Sequence, residues 1–204
     1  MTGSLTTNWL VFDYGGVISR HTDALPELAI RMGAGLADFE TAYWAGRDCY
    51  DRGCSDLEYW RALGSRFGVM VDEELSATLT EIDIAGWLHT DEDTVALLAE
   101  LAAAGARLAL LSNAPASFGR VAERQPWTAH FEHLVFSGDL RMAKPDPEIW
   151  TALAARLGAT EADCMFIDDR PVNVAGALGA GMRAHLWSSA ARLRPELVRF
   201  AGGS

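Results

Sequence analysis

Five short apolar runs punctuate the chain, at 9–13, 107–112, 134–137, 164–168 and 183–187. They are too short for core helices and read as strands buried on both faces. From the second run onward, helical patterns alternate with them. The stretch 91–104 repeats Val95, Leu98 and Leu101 on one face, and Gly105 closes it. The stretch 146–157 has Pro147 near its first turn and ends at Gly158, and 172–178 forms a shorter helix. Strand–helix alternation of this kind predicts a parallel sheet with helices on both faces.

The segment from about residue 22 to 87 breaks the rhythm. It carries four helical patterns, at 24–32, 36–46, 56–67 and 72–84, and no convincing strand. Gly33, Gly53 and Gly68 separate them, and Ser55 and Asp72 are suited to N-caps. An insert of this size after the first strand reads as an all-helical cap that closes over a ligand and excludes water, in preference to an insert that merely packs. The expected class is therefore α/β, with a core of 1–20 and 88–204 and a cap of 21–87.

At 204 residues the chain can bury a substantial core, and 50% hydrophobic against 22% charged residues fits a globular protein. The net charge of −11 comes without a basic stretch, which argues against a nucleic-acid surface. Cys49, Cys54 and Cys164 form neither a disulfide framework nor a zinc pair and point to a reducing compartment. The polar stretch 1–8 and the brief apolar run after it do not make a signal peptide or a membrane span. A cytoplasmic protein without membrane or nucleic-acid partners is expected; monomer and dimer fit the pattern equally.

The chemistry gathers at the strand ends, where ligands bind in open parallel sheets. The first strand ends in Asp13, followed by Gly15 and Gly16; the second in Ser112 and Asn113; the fourth in Asp168 and Asp169. Lys144 lies in the polar, proline-containing stretch 141–147. Taken singly, an aspartate at a strand end is usually a turn residue or cap, and adjacent aspartates are usually solvated loop. Jointly placed at successive strand ends, they read differently. Three converging carboxylates repel and need a cation to stay ionised. Hard oxygen ligands select magnesium, which also takes phosphate oxygens. Lys144 adds positive charge, and Ser112 offers a hydroxyl to a phosphate oxygen.

These residues lie in four segments, FDYGGV (12–17), LLSN (110–113), MAKPDPEIW (142–150) and FIDDRPVNVAGA (166–177). Their order and spacing resemble the four motifs of the haloacid dehalogenase-like (HAD) superfamily over nearly the whole chain. The resemblance implies a Rossmann-like core with a small helical cap. The subgroup most resembled includes sugar-phosphate phosphatases and the phosphatase domain of soluble epoxide hydrolases. It implies a magnesium-dependent phosphatase acting on a small phosphate ester, a sugar phosphate among the candidates. Asp13 would be the nucleophile that forms an aspartyl-phosphate and a metal ligand. The Gly15 carbonyl and Asp169 would also ligate the metal, with Asp168 beside them. Ser112 and the Asn113 backbone would hold the phosphoryl group, Lys144 would balance its charge, and Asn173 would orient Lys144 or the loop, a plain helix-start residue being an equal reading.

One departure matters. Phosphatases of this family usually carry an aspartate two positions after the nucleophile, where it protonates the leaving oxygen; here that position is Gly15. General acid catalysis contributes about two to four powers of ten in rate. Three explanations remain: a good leaving group such as an anomeric oxygen, an acid from a cap residue or water with His21 and Tyr14 as candidates, or poor turnover in a protein that mainly binds. Members with glycine here are still phosphatases, which favours the first two.

Substrate choice is expected from the stretch 43–52, where Trp44, Arg47 and Tyr50 could stack on or hydrogen-bond a polar group; packing within the cap accounts for Trp44 and Tyr50 equally well. Rival readings are a dehalogenase acting on a carbon–halogen bond, a mutase, and a non-catalytic HAD-like binding protein. The Asp168–Asp169 pair argues against the first, and the missing acid against the second.

Overall fold

The computed structural model describes residues 8–202; the polar N-terminal stretch up to Thr7, which also opens the expected core, lies outside them. In chain order the elements are β1 (Trp9–Phe12), α1 (Leu25–Arg31), α2 (Leu36–Asp51), α3 (Asp56–Ser65), α4 (Glu73–Trp87), α5 (Glu92–Ala103), β2 (Arg107–Ser112), α6 (Ala116–Ala122), β3 (His133–Phe136), α7 (Ser137–Leu140), α8 (Pro147–Leu157), β4 (Cys164–Asp168), α9 (Pro171–Gly179), β5 (Arg183–Leu186) and α10 (Ala190–Ala201).

The strands form one parallel sheet in the order β3-β2-β1-β4-β5. Alternation along each strand sends side chains to opposite faces. Leu10 and Phe12 pack with Leu108, Leu110, Met165 and Ile167 against α5, α6 and α10, while Trp9, Val11, Ala109, Leu111, Cys164 and Phe166 meet α8 and α9. Two covered faces explain why β1 and β4 read as unbroken apolar runs. The expectation of burial on both faces fails at β5: as an edge strand it leaves Arg183 and Leu186 exposed.

Between β1 and α5, helices α1 to α4 gather an apolar cluster of their own around Phe39, Tyr43, Trp60 and Leu79. Ser55 caps α3 in a reciprocal box with Glu58, and Asp72 caps α4 by accepting from the Leu75 N–H. One expectation falls short here. The α2 helix does not stop at Gly46 but runs to Asp51; Gly46 is there because a Cβ would approach the Tyr59 ring to 3.1 Å. Outside the insert, α10 carries a buried face of Ala190, Leu193, Leu197 and Phe200 that sustains a helix through Pro195. Burial of that face outweighs the lost N–H.

Among the described residues no helix is long and apolar enough to cross a membrane.

Leu98 on α5 is fully buried against the sheet. Leu98→Ala is expected to lower unfolding free energy by about 2–5 kcal/mol, measurable as a reduced urea midpoint; an unchanged midpoint would contradict this packing.

Candidate active site

The strand order decides which residues meet. Because β2 and β4 flank β1, the carboxyl ends of all three open at one place, where the chain's crossovers change direction. Asp13 follows β1 directly, and its N–H donates to the Ile167 carbonyl of β4 at 2.8 Å, which fixes the register of the two aspartate-bearing ends.

Lys144, the chain's sole lysine, lies between them. Its Nζ is 2.7 Å from Asp13 Oδ1 and 2.8 Å from Asp168 Oδ2, and it also donates to the Leu111 carbonyl at 2.9 Å. The Asn113 side chain holds it there, donating to the Lys144 carbonyl and accepting from its N–H, both at 2.9 Å. The Asn113 side chain is thus spent on the Lys144 loop, and only its backbone, the part expected to meet a ligand, is left for one. Asn173, in the first turn of α9, donates to both oxygens of Asp168, the lysine's partner, at 3.1 Å.

The paired aspartates therefore have unequal surroundings. Asp168 is fully buried, and its oxygens accept from Lys144, Asn173 and the Arg170 N–H. Asp169 is only partly buried, yet its Oδ1 is enclosed with no hydrogen-bond partner among the described residues. Carboxylate oxygens of Asp13, Asp168 and Asp169 all lie within 4.8 Å of one another. Three carboxylates against one ammonium leave the cluster negative. Burial pushes Asp13 up to about 7, with Lys144 pulling it back and Asp168 adding to the rise. Burial, then Asp168, also raises Asp169. Burial draws the Lys144 ammonium down, but Asp13 and Asp168 outweigh it and hold its pKa above the ordinary lysine value. An oxygen-rich, electron-rich cradle with an orphaned oxygen fits a hard divalent cation.

Gly16 makes room for that cradle. Its φ is +71°, and a Cβ there would fall 2.4 Å from Asp169 Oδ2. The structural reason for Gly16 could have been sought in the sequence from its place beside Gly15, but the clash with Asp169 is visible only in three dimensions.

A cavity of about 540 Å³ opens over these groups, lined by Asp13, Gly15, Ser112, Lys144 and Asp169 from the sheet side. The Ser112 hydroxyl borders it and makes no hydrogen bond with another described residue. The helical insert supplies the other wall, including Trp44, Arg47 and Trp87. Trp44 is 45% exposed and sits edge-on to Trp87. Arg47 borders the cavity but is held by Asp51 at 2.9 Å and Asp83 at 3.2 Å. Tyr50 does not line the cavity: it is buried, stacked on Tyr59 at 4.1 Å, and its hydroxyl donates to Asp56 at 2.6 Å. Ser117 of α6 donates to the same Asp56 oxygen at 2.7 Å, so the Tyr50 surroundings fasten the insert to the α/β unit.

The family model for haloacid dehalogenase-like hydrolases matches residues 7–181. The chain belongs to this family. Among curated relatives of this haloacid dehalogenase-like hydrolase, flavin mononucleotide hydrolase 1 of Arabidopsis thaliana is 32% identical over half of this chain and 41% of its own length. The chain thus spans about two fifths of that relative. A sesquiterpene phosphatase of Aspergillus oryzae is 27% identical over 84% of this chain and 85% of its own. A HAD family enzyme from Bacteroides thetaiotaomicron, solved with magnesium and inorganic phosphate, superposes with a TM-score of 0.70 at 20% identity, covering 89% of this chain and 94% of that one. The L-2-haloacid dehalogenase of Xanthobacter autotrophicus has the same fold, with a TM-score of 0.71 at 20% identity over 94% of this chain and 82% of that one.

Gly16→Ala should both strain the backbone and displace Asp169. A loss of about 1 kcal/mol or more is expected, together with a smaller magnesium-induced rise in melting temperature than in the wild type. Scanning calorimetry with and without magnesium checks both; an unaltered magnesium response would contradict the cradle.

Proposed function

We propose that this hydrolase is a magnesium-dependent phosphatase that cleaves a small phosphorylated metabolite, a sugar phosphate among the candidates, through an aspartyl-phosphate on Asp13. The observation that carries the reading is the placement of the Lys144 ammonium 2.7 Å from Asp13 Oδ1, beside a carboxylate set suited to a divalent ion.

In this reading Asp13 attacks phosphorus while Lys144 keeps it ionised and oriented. Asp13, the Gly15 carbonyl and Asp169 would hold magnesium, which when bound neutralises charge on the phosphoryl oxygens. Asp168 acts through Lys144: its oxygens are already taken by protein donors, so it is a positioning residue. Ser112 donates its free hydroxyl to a phosphoryl oxygen, and the Asn113 backbone contributes beside it. Segment 21–87 serves as the cap of a core built from 1–20 and 88–204. In support, it has its own apolar cluster and walls one side of the cavity. Trp44 offers an exposed ring on which a leaving group can stack. Arg47, already paired with two carboxylates, has little charge left for an anionic ligand. The free thiols Cys49, Cys54 and Cys164 support a cytoplasmic setting.

Relatives named for phosphate-ester hydrolysis favour this reading over a dehalogenase. So does the acidic cluster, since displacement of halide from carbon has no use for a cation cradle.

Asp13→Asn is expected to abolish turnover of a phosphate ester with the fold intact, because an amide oxygen is too weak a nucleophile to form the acyl-phosphate. Chelation of magnesium is expected to do the same reversibly. Release of inorganic phosphate, with circular dichroism as the folding control, tests both. Full activity after chelation would contradict the phosphatase reading.

A further inference from the structure

The following inference rests on the phosphatase reading and concerns the proton that Gly15 cannot supply. Of the two candidates in the sequence, Tyr14 is committed. Its hydroxyl donates to the Trp87 carbonyl at 2.7 Å, its ring packs against Phe118 and Trp127, and burial raises its pKa far above the working range. His21 borders the cavity but is exposed to solvent.

A third group stands on the insert's wall of the same cavity. Asp51, at the C-terminal end of α2, and Asp83, in α4, share the single guanidinium of Arg47. Asp83 is well satisfied, accepting from the Tyr43 hydroxyl at 2.6 Å and from Arg47 at 3.2 Å. Asp51 is not. Its Oδ1 lies within ion-pair distance of Arg47 but is buried without a well-aligned hydrogen bond. Two buried carboxylates on one cation leave a negative charge unmatched, and Asp48 on the same helix adds another nearby, offset by Arg52. Tyr43, Tyr50 and Tyr59, beside Arg47 and Asp83, are raised by burial and remain neutral, as does the raised Cys54 thiol near Asp51. A proton is the simplest counter-charge for such a group. Consistent with this, burial pushes Asp51 up to about 6, with Arg47 opposing and Asp83 and Asp48 adding. An arriving phosphate dianion increases the tendency to hold the proton.

Asp51 is also held firmly in place. Its carbonyl accepts from Ser137 Oγ at 2.5 Å, and the next residue, Arg52, grips Asp146, two positions beyond Lys144.

We infer that Asp51 is the general acid of this phosphatase, a proton donor delivered by the helical insert in place of the side chain absent at Gly15. As Asp13 bonds to phosphorus, the ester P–O bond breaks and its electron pair passes to the leaving oxygen. That oxygen takes the Asp51 proton and departs as the alcohol, which leaves an Asp51 carboxylate. Water then attacks the aspartyl-phosphate and gives a proton to Asp51. The bond from phosphorus to Asp13 breaks, inorganic phosphate leaves, and both side chains return to their starting forms.

The test compares kcat/KM on p-nitrophenyl phosphate, whose leaving group needs little protonation, with kcat/KM on glycerol phosphate, whose alkoxide needs it. Asp51→Asn should lose about 100-fold or more on glycerol phosphate and little on the nitrophenyl ester. The wild-type decline in glycerol-phosphate turnover at rising pH should disappear in the variant. Adding Gly15→Asp to Asp51→Asn should restore the alkyl-ester rate, since a Cβ at Gly15 meets nothing nearer than the Trp87 ring at 3.6 Å. Equal losses on the two esters, or a leaving-group-dependent loss in His21→Gln instead, would overturn the assignment of Asp51 alone. A wild-type chain that hydrolyses neither ester with magnesium would overturn the phosphatase reading along with it.

Discussion

A lysine ammonium buried between two carboxylates governs the architecture. Lys144 is 3% exposed, Asp13 7% and Asp168 not at all. Charges so far from water are tolerated only when geometry is close and remaining donors and acceptors are matched. The sheet order satisfies that condition by placing β4 next to β1, so that Asp13 and Asp168 reach one ammonium. Asn113 fixes the lysine's backbone, and Asn173 with the Arg170 N–H fixes Asp168. What stays unmatched is negative charge, concentrated on Asp13 and Asp169 at the cavity floor. The same imbalance would be a defect in a structural core; under the proposed phosphatase reading it suits a divalent cation and a phosphoryl group.

The two halves of the cavity contribute different things. From the sheet come strand ends whose register brings Asp13 and Asp168 onto one ammonium. The insert brings aromatic rings and a second charged group, built on an apolar cluster separate from those of the sheet. It meets the α/β unit through polar contacts, Ser137 to the Asp51 carbonyl, Ser117 to Asp56 and Arg52 to Asp146, and through Ile84 and Trp87 of α4, which pack on the sheet-side core.

Much of this was legible in the sequence because the signals were local. Apolar runs of four to six residues marked the strands, and Asp13, Ser112, Asp168 and Asp169 stood at or just beyond their ends. The cap residues Ser55 and Asp72 announced two helix starts. What was hidden depended on contacts distant in sequence. Gly46 looked like a helix end, since nothing nearby reveals the Tyr59 ring packed on it. Pro195 masked α10, whose buried face outweighs the proline's preference. Arg47 and Asn173 border the cavity and Tyr50 does not, and composition alone does not tell which partner claims a tyrosine hydroxyl, a guanidinium or an amide. The pairing of Asp51 and Asp83 on Arg47 joins α2 to α4 across 36 residues between Arg47 and Asp83 and left no trace in any motif.

The most direct measurement is a crystal structure of the chain soaked with magnesium and beryllium fluoride, which mimics a phosphoryl group on a carboxylate. The account requires the fluoride adduct on an Asp13 oxygen, with Lys144 and Ser112 in hydrogen-bond contact with fluorine and the cation between Asp13 and Asp169. An Asp13 left unmodified, with the cation bound away from Asp169, would contradict it.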